Sequence, residues 1–273
     1  MARSTRFNPY TADISGNNAQ TYEDLRPSYP REKLACLNIT QGQTIADIGA
    51  GTGKLTQQLR TFSDNVWAVE PSEQMREHLK TLFLPTQQSH CLAGRAEQLP
   101  FPDESIDVIT YGQCWHWLDE IRASAEAARV CRVGARIAII GNYLDIRHDW
   151  VHRLSRIMRS GDIRRATEAP DLRVPGHHGH MEYMFSEPSL EYCEWTDQIT
   201  AHDVFLLTTT RASWILADTV QRERTQENLQ WYLYDHLGYR PDDVIDLPYR
   251  MFMWVAIRND CSWTPAHERL IKR

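Results

Sequence analysis

The sequence contains no long apolar run, no paired cysteine motif and no excess of basic residues. No stretch approaches the roughly 18 apolar residues of a membrane-spanning helix, and residues 1–20 lack the apolar run of a signal peptide. The six cysteines are scattered and form no C-x-x-C pair, which argues against a zinc knot and a disulfide framework. We therefore expect a cytoplasmic protein with reduced thiols, no membrane association and no bound metal.

Basic charge is scarce as well. The 30 Lys and Arg residues are outnumbered by 36 Asp and Glu residues, so the formal net charge is −6. A general nucleic-acid binder needs a net basic face to neutralise phosphates, so we expect a small-molecule partner and no nucleic acid. The 273 residues can bury a full α/β core. Nothing in the sequence predicts an oligomeric state.

Against this background, residues 45–56 stand out as a glycine-rich segment, IADIGAGTGKLT. An apolar strand ends near Asp47, three alternating glycines follow, and a helix begins after them. Glycines at a strand-to-helix turn allow positive φ angles and close approach of the backbone to a ligand, which is typical of cofactor loops.

Two familiar glycine loops do not match this segment. The dinucleotide pattern G-x-G-x-x-G fits Gly49 and Gly51, but Lys54 stands where its third glycine belongs. The phosphate-binding pattern G-x-x-x-x-G-K-[ST] requires glycine at Ile48 and Ser or Thr at Leu55. Glu70, at the end of the next predicted strand, fits the ribose of NAD and of other nucleoside cofactors equally well.

The Asp-x-Gly-x-Gly-x-Gly segment resembles the cofactor loop of class I methyltransferases, which use S-adenosylmethionine (SAM). The residues EPSEQM at 70–75 and AGRAEQLPFP at 93–102 resemble later segments of the same family. The resemblance implies that Asp47 orients the ammonium group of SAM, that Glu70 accepts the ribose hydroxyls and that the adenine lies near residues 95–97. The implied cofactor-binding residues in these segments are Asp47, Gly49, Ala50, Gly51, Gly53, Glu70, Pro71, Met75, Arg95, Ala96 and Glu97.

Two flanking segments narrow the resemblance. YEDLRPSYP at 22–30 and QCWHWLD at 113–119 are similar to segments of the type 11 methyltransferase domain, in particular of trans-aconitate-type enzymes that methylate small molecules. This similarity adds Tyr22, Arg26, Gln113 and Trp115 to the implied cofactor site. The segment CRVGA at 131–135 departs from the Leu-Lys-Pro-Gly-Gly of the family, at a turn that holds no cofactor.

The alternation of apolar strands and amphipathic helices predicts an α/β fold with a doubly wound, mostly parallel seven-stranded sheet. We expect strands near 44–48, 66–69, 90–93, 106–110, 135–140, 190–195 and 249–257, and helices near 31–38, 53–62, 72–83 and 119–130. Residues 1–144 are interpreted as an entry segment and the SAM-binding core. Residues 145–240 are interpreted as a substrate-side cap with an added strand, and residues 241–273 as a final strand and tail that complete the core.

Several other residues have two interpretations each. His116 lies between two tryptophans and is either a general base or a group that orients the pocket. The run His177, His178 and His180 is interpreted as a surface loop rather than a metal site. Arg153, Arg156 and Arg159 recur at helical spacing and either face solvent or bind an anionic substrate. Six of the nine tryptophans follow Gly141 and serve either the cap or the ordinary core.

The sequence therefore predicts a SAM-dependent methyltransferase that transfers a methyl group to O or N of a small metabolite, such as a carboxylate or a heteroaromatic compound. One alternative is a SAM-binding module without turnover, which acts through interactions of its cap. A second alternative is an NAD-dependent oxidoreductase, against which Lys54 is the main evidence.

Overall fold

The computed structural model of the chain describes residues 24–158, 168–176, 181 and 183–260. The α-helices are α1 (Arg31–Leu34), α2 (Lys54–Leu59), α3 (Glu73–Lys80), α4 (Glu120–Val130), α5 (Asp149–Ile157), α6 (Ala201–Thr209), α7 (Ala212–Ile215) and α8 (Thr219–Gln230). Short 3-10 helices span Ala35–Leu37, Pro85–His90 and Trp115–Trp117, and a π-helix spans Trp231–His236. The strands are β1 (Ile45–Ile48), β2 (Val66–Val69), β3 (Cys91–Leu92), β4 (Ile106–Gly112), β5 (Cys131–Leu144), β6 (Ser189–Thr200) and β7 (Val244–Ile257).

The strands form one seven-stranded sheet in the order β3-β2-β1-β4-β5-β7-β6. β1 pairs in parallel with β2 and β4, whereas β7 runs antiparallel to both β5 and β6. Helices connect the parallel strands, as a doubly wound sheet requires. The predicted fold class is therefore confirmed.

The last three strands are longer than the sequence pattern predicts. The ladder between β5 and β7 runs from Arg136–Ile257 to Leu144–Tyr249, and the ladder between β6 and β7 runs from Ser189–Val255 to Thr200–Val244. β6 is an edge strand with many exposed polar positions, so the apolar pattern covers only part of its length. Conversely, α2 and α3 end three residues before their predicted boundaries.

Both faces of the parallel strands are buried, which explains their nearly continuous apolar sequences. All four residues of β1 are buried, including Asp47. Large side chains such as Tyr111 on β4 and Phe252 on β7 are fully buried, in a hydrophobic cluster that includes Ala123 and Ala127 of α4. This packing holds the ends of β1, β2 and β4 in fixed positions.

A second hydrophobic cluster lies at the edge where β5 ends. Because β7 is antiparallel, its first residues share this edge with the ends of β5 and β6. Helices α5, α6 and α8 and the π-helix pack there through Val151, Leu154, Leu207, Leu229 and Leu233. The same cluster includes residues at the start of β7. Most helices of residues 145–240 therefore pack beyond the carboxyl ends of the parallel strands. Strand β6, in contrast, belongs to the main sheet. The predicted division of the chain into a core and a cap stays a prediction.

Candidate functional site

The glycine loop between β1 and α2 has the backbone geometry that its sequence predicts. Gly49, Gly51 and Gly53 have φ angles of 67°, 59° and 101°. A Cβ atom at Gly49 would lie 2.9 Å from Cβ and Sγ of Cys114, so only glycine fits there without movement. The N–H groups of Gly49 and Ala50 both donate to the carbonyl oxygen of Val69, at 2.8 and 3.1 Å. These bonds fix the start of the loop to the end of β2.

Asp47 is a buried carboxylate at the end of β1, with 1% of its surface exposed. Thr56 Oγ1 donates to its Oδ2 atom at 2.6 Å, and Thr110 Oγ1 donates to its Oδ1 atom at 3.0 Å. Burial raises the pKa of Asp47 from 3.8 to about 6, although the two threonine hydrogen bonds lower it in part. In the described part of the chain, no Lys, Arg or His nitrogen lies within 4.0 Å of this carboxylate.

Glu70 lies beside the glycine loop at the end of β2. Its Oε2 atom accepts the N–H of Gly51, and its Oε1 atom accepts the N–H of Ser72, both at 2.9 Å. Burial also raises the pKa of Glu70, against the lowering effect of these two hydrogen bonds. Each oxygen retains a lone pair for a further donor. The structure thus brings Glu70 and the glycine loop into direct contact.

Pro71 and Met75 follow Glu70 at the start of α3. Ser72 caps this helix, because its Oγ atom accepts the N–H of Met75 at 3.4 Å. The sulfur of Met75 lies 3.8 Å from the position that a Cβ atom of Gly51 would occupy. Met75 therefore borders the glycine loop, whereas Pro71 is exposed and its carbonyl oxygen accepts a hydrogen bond from Arg76 Nη1 at 2.7 Å.

The segment with Arg95, Ala96 and Glu97 forms a tight turn closed by a bridge between Arg95 and Gln98. Ala96 is buried, with 5% of its surface exposed. Glu97 Oε1 accepts the N–H of Asp119 at 3.1 Å, and its Oε2 atom lies 3.7 Å from Nε of Arg95. The turn is therefore tied to the start of α4, a link that spacing along the sequence does not reveal.

Gln113 begins the segment that follows β4 and has a positive φ angle of 57°. Its N–H donates to the carbonyl oxygen of Ile140 at 2.9 Å, and its side-chain amide donates to the carbonyl oxygen of Asn142. These bonds attach the segment to β5.

Trp115 and His116 share one turn of 3-10 helix but differ in burial. The Trp115 ring is 1% exposed, packs edge-on against Tyr111 and donates from Nε1 to the carbonyl oxygen of Arg173 at 2.8 Å. This placement favours a packing role for the ring, and its contact with a cofactor stays a prediction. His116 is half-buried and its ring centroid lies 4.8 Å from that of Trp117. Its role as a base or an orienting group also stays a prediction.

Arg26 connects the entry segment to the helices beyond β6. Its Nη2 atom donates to the carbonyl oxygen of Thr210, which follows α6, at 2.8 Å. Tyr22, Arg159 and the run His177, His178 and His180 lie outside the described residues. Within the described ranges no group of three or more His, Cys, Asp or Glu side chains is arranged to hold a metal. No helix in these ranges combines the length and apolar character needed to cross a bilayer.

The sequence alone does not reveal three residues that contact Asp47 or the glycine loop. Thr56 on α2 and Thr110 on β4 hold the two oxygens of Asp47, and Cys114 packs against Gly49 while donating from Sγ to the carbonyl oxygen of Ile48 at 3.1 Å. Thr56 lies nine positions after Asp47 and is the third residue of α2. This short separation along the chain is the one sequence signal for the contact.

Comparisons with known proteins agree with this geometry. Residues 46–139 match the family model described as a methyltransferase domain. An uncharacterized methyltransferase of Mycobacterium tuberculosis (strain ATCC 25618 / H37Rv) is 33% identical over 236 residues, which cover 86% of this chain and 91% of the relative.

Two solved structures share the fold. The YcgJ protein of Bacillus subtilis superposes with a TM-score of 0.50 at 17% identity, over 83% of this chain and 96% of that chain. The phosphoethanolamine N-methyltransferase 2 of Haemonchus contortus, solved with phosphomonomethylethanolamine and S-adenosylhomocysteine, has a TM-score of 0.50 at 14% identity, over 91% of this chain and 58% of that chain. The relative in Mycobacterium tuberculosis and the matched domain show that this chain belongs to the methyltransferase family, with the class I fold.

Proposed function

We propose that this chain is a SAM-dependent methyltransferase that transfers a methyl group to an oxygen or nitrogen atom of a small metabolite. The observation that carries the proposal is the Asp47 carboxylate, which is buried, lacks a cationic partner among the described residues and lies in the strand that leads into the glycine loop. A buried anion of this kind is stabilised by a ligand cation. SAM has an α-ammonium group, whereas NAD has no ammonium group to offer.

The other residues of the site fit SAM as well. Glu70 is held by two backbone N–H groups, which orient its free lone pairs for two ribose hydroxyls. The space beside Gly51 is open except for the sulfur of Met75, so a ligand can lie close to the backbone. The turn at Ala96 and Glu97 would take the adenine. The phosphoethanolamine N-methyltransferase 2 of Haemonchus contortus was solved with S-adenosylhomocysteine, which supports this assignment for the shared fold.

When bound, SAM supplies an activated methyl group on a sulfonium sulfur. The chain has to align the acceptor with that methyl group and to exclude water. A hydroxyl or ring N–H acceptor must also lose its proton, and we assign the proton to the imidazole of His116. A carboxylate acceptor has no proton to lose and makes His116 an orienting group.

The substrate side is proposed to be formed by the helices at the end of β5. α5, α6, α8 and the π-helix pack there around their own hydrophobic cluster, beyond the carboxyl ends of the parallel strands. Ligands of open α/β sheets bind at that edge. This arrangement supports a small enclosed substrate, of the carboxylate or heteroaromatic class expected for a trans-aconitate-type enzyme. The five cysteines in the described ranges are free, which supports a cytoplasmic location.

The experiment that tests the proposal uses the full chain, SAM labelled in its methyl group and a fractionated metabolite extract of the source organism. We expect label in one small-molecule fraction, and Asp47→Ala should reduce the labelling about tenfold at SAM concentrations below saturation. The matched control is Asp242→Asn, an acidic residue in the exposed turn before β7, which should leave it unchanged. Binding of SAM without label in any fraction would instead support a module without turnover. Label in tRNA or protein would contradict the proposed substrate class.

A further inference from the structure

A basic cleft lies between α5 and α8. Its volume is about 650 Å³, and it is lined by Asp149, His152, Arg153, Arg156, Ile157, Arg224, Thr225 and Asn228. All of these residues belong to the two helices, and none belongs to the glycine loop or to the turn at Ala96. The cleft is therefore built from different residues than the proposed SAM site.

Helical spacing explains why α5 presents this surface. Its cleft residues recur at intervals of three and four positions and form one stripe of the helix, whereas Val151 and Leu154 lie on the opposite side and are fully buried. The buried side packs in the same hydrophobic cluster as Leu229 of α8. The packing that holds the two helices together thus leaves Arg153, Arg156 and Arg224 lining the cleft.

No acid among the described residues forms an ion pair with these arginines. In the described ranges, no carboxylate oxygen lies within 4.0 Å of a guanidinium nitrogen of Arg153, Arg156 or Arg224. Asp149 is the one acidic residue among those that line the cleft. Three guanidinium groups therefore face one carboxylate, which gives the cleft a positive charge in a chain whose net charge is −6.

Arg153 is also held in place. Its guanidinium carbon lies 5.1 Å from the ring centroid of Trp231 and 5.2 Å from that of Tyr232. The Tyr232 hydroxyl donates to the carbonyl oxygen of Trp150 at 2.9 Å, which fixes the ring. A cation over aromatic rings keeps its full charge and its outward N–H donors. Ordering this side chain in advance lowers the entropy lost when a ligand binds.

From this arrangement we propose that the cleft between α5 and α8 binds the phosphoryl group of a small anionic molecule. Arg153 and Arg156 of α5 and Arg224 of α8 line the same cleft, so a ligand inside it can contact arginines of both walls. A phosphoryl group presents three oxygens in a tetrahedral arrangement and can accept bonds from both walls, whereas a planar carboxylate offers two oxygens in one plane. The cleft is open to solvent, and its volume of about 650 Å³ leaves room for a small anion.

Calorimetric titration of the full chain with inorganic pyrophosphate at low salt tests the proposal. We expect saturable binding that weakens as salt is added, because the arginines are exposed and their charges are screened. The double variant Arg156→Gln, Arg224→Gln should lower the affinity about tenfold or more, since it removes charge-assisted bonds from both walls. The control is Arg240→Gln, which removes one exposed charge in the loop before β7 and should bind pyrophosphate as the wild type does.

The outcomes separate this site from the proposed SAM site. Unchanged SAM affinity in the double variant, together with lost pyrophosphate binding, supports a distinct anion site whether or not the chain methylates anything. Absence of saturable pyrophosphate binding, or equal loss in Arg240→Gln, would overturn the proposal. Tighter binding of a tricarboxylate than of pyrophosphate would overturn the assignment of phosphate chemistry. Because all three arginines are exposed, an unchanged melting temperature is expected and checks that the variants fold.

Discussion

We expect the stability of ligand-free Asp47→Asn, measured relative to the ligand-free wild type, to be greater at neutral pH than at acidic pH. The folded-state pKa of Asp47 is about 6, and the unperturbed value is 3.8. Between these values the folded chain binds a proton that the unfolded chain does not. The stability that protonated Asp47 contributes therefore has its full value below about pH 4 and is lost as the pH rises through 6. The difference, 6 − 3.8, is about 2 pKa units, and at 1.36 kcal/mol per unit it corresponds to about 3 kcal/mol.

Urea unfolding of the wild type and of Asp47→Asn at pH 4.5 and pH 7.5 measures this effect. Titrating groups that do not interact with Asp47 cancel in the difference between the two proteins, whereas Glu70 is coupled to Asp47 through its charge. Because part of the titration lies below pH 4.5, the stability of the variant relative to the wild type should rise by about 2 kcal/mol between the two pH values. A relative stability that is unchanged, or that falls, would refute the claim that burial without a cationic partner dominates the environment of Asp47.

Three further variants test individual contacts. Glu70→Gln should weaken SAM binding about tenfold in calorimetry, because the ribose hydroxyls lose a charged acceptor; unchanged affinity would contradict that contact. His116→Ala should lower turnover by about 10² to 10⁴ while SAM affinity is retained, and an unchanged pH–rate profile would show a structural role. Gly53→Ala should lower the free energy of unfolding by about 1–3 kcal/mol, because the added Cβ atom would overlap Cδ1 of Leu82 and a φ of 101° is strained for alanine. Wild-type stability in urea would contradict this.

Much of the fold could be predicted because the parallel strands are buried on both faces. Their apolar runs, bounded by Gly and charged residues, locate β1, β2 and β4 to within about two residues. The edge strand β6 could not be delimited in this way, since it carries Glu191, Glu194 and other polar residues at exposed positions. Its length follows from pairing with β7, which is a contact between distant parts of the chain.

The candidate site shows the same division. The glycine loop, Asp47 and Glu70 are short-range features, because a strand, a turn and a helix fix their spacing, and the structure brings them together. Thr110, however, reaches Asp47 from 63 positions away along the chain, and Arg173 meets Trp115 across 58 positions. Such partners depend on tertiary packing, which no local pattern encodes.

The most direct test of the central claim is a calorimetric titration of the full chain with SAM and with NAD at pH 7.5, repeated for Asp47→Ala and Glu70→Ala. We predict one SAM site per chain, no binding of NAD, and a loss of SAM affinity of about tenfold or more in each variant, as expected for charge-assisted hydrogen bonds. Binding of NAD in place of SAM, or an unchanged SAM affinity in both variants, would contradict the assignment of this site to SAM.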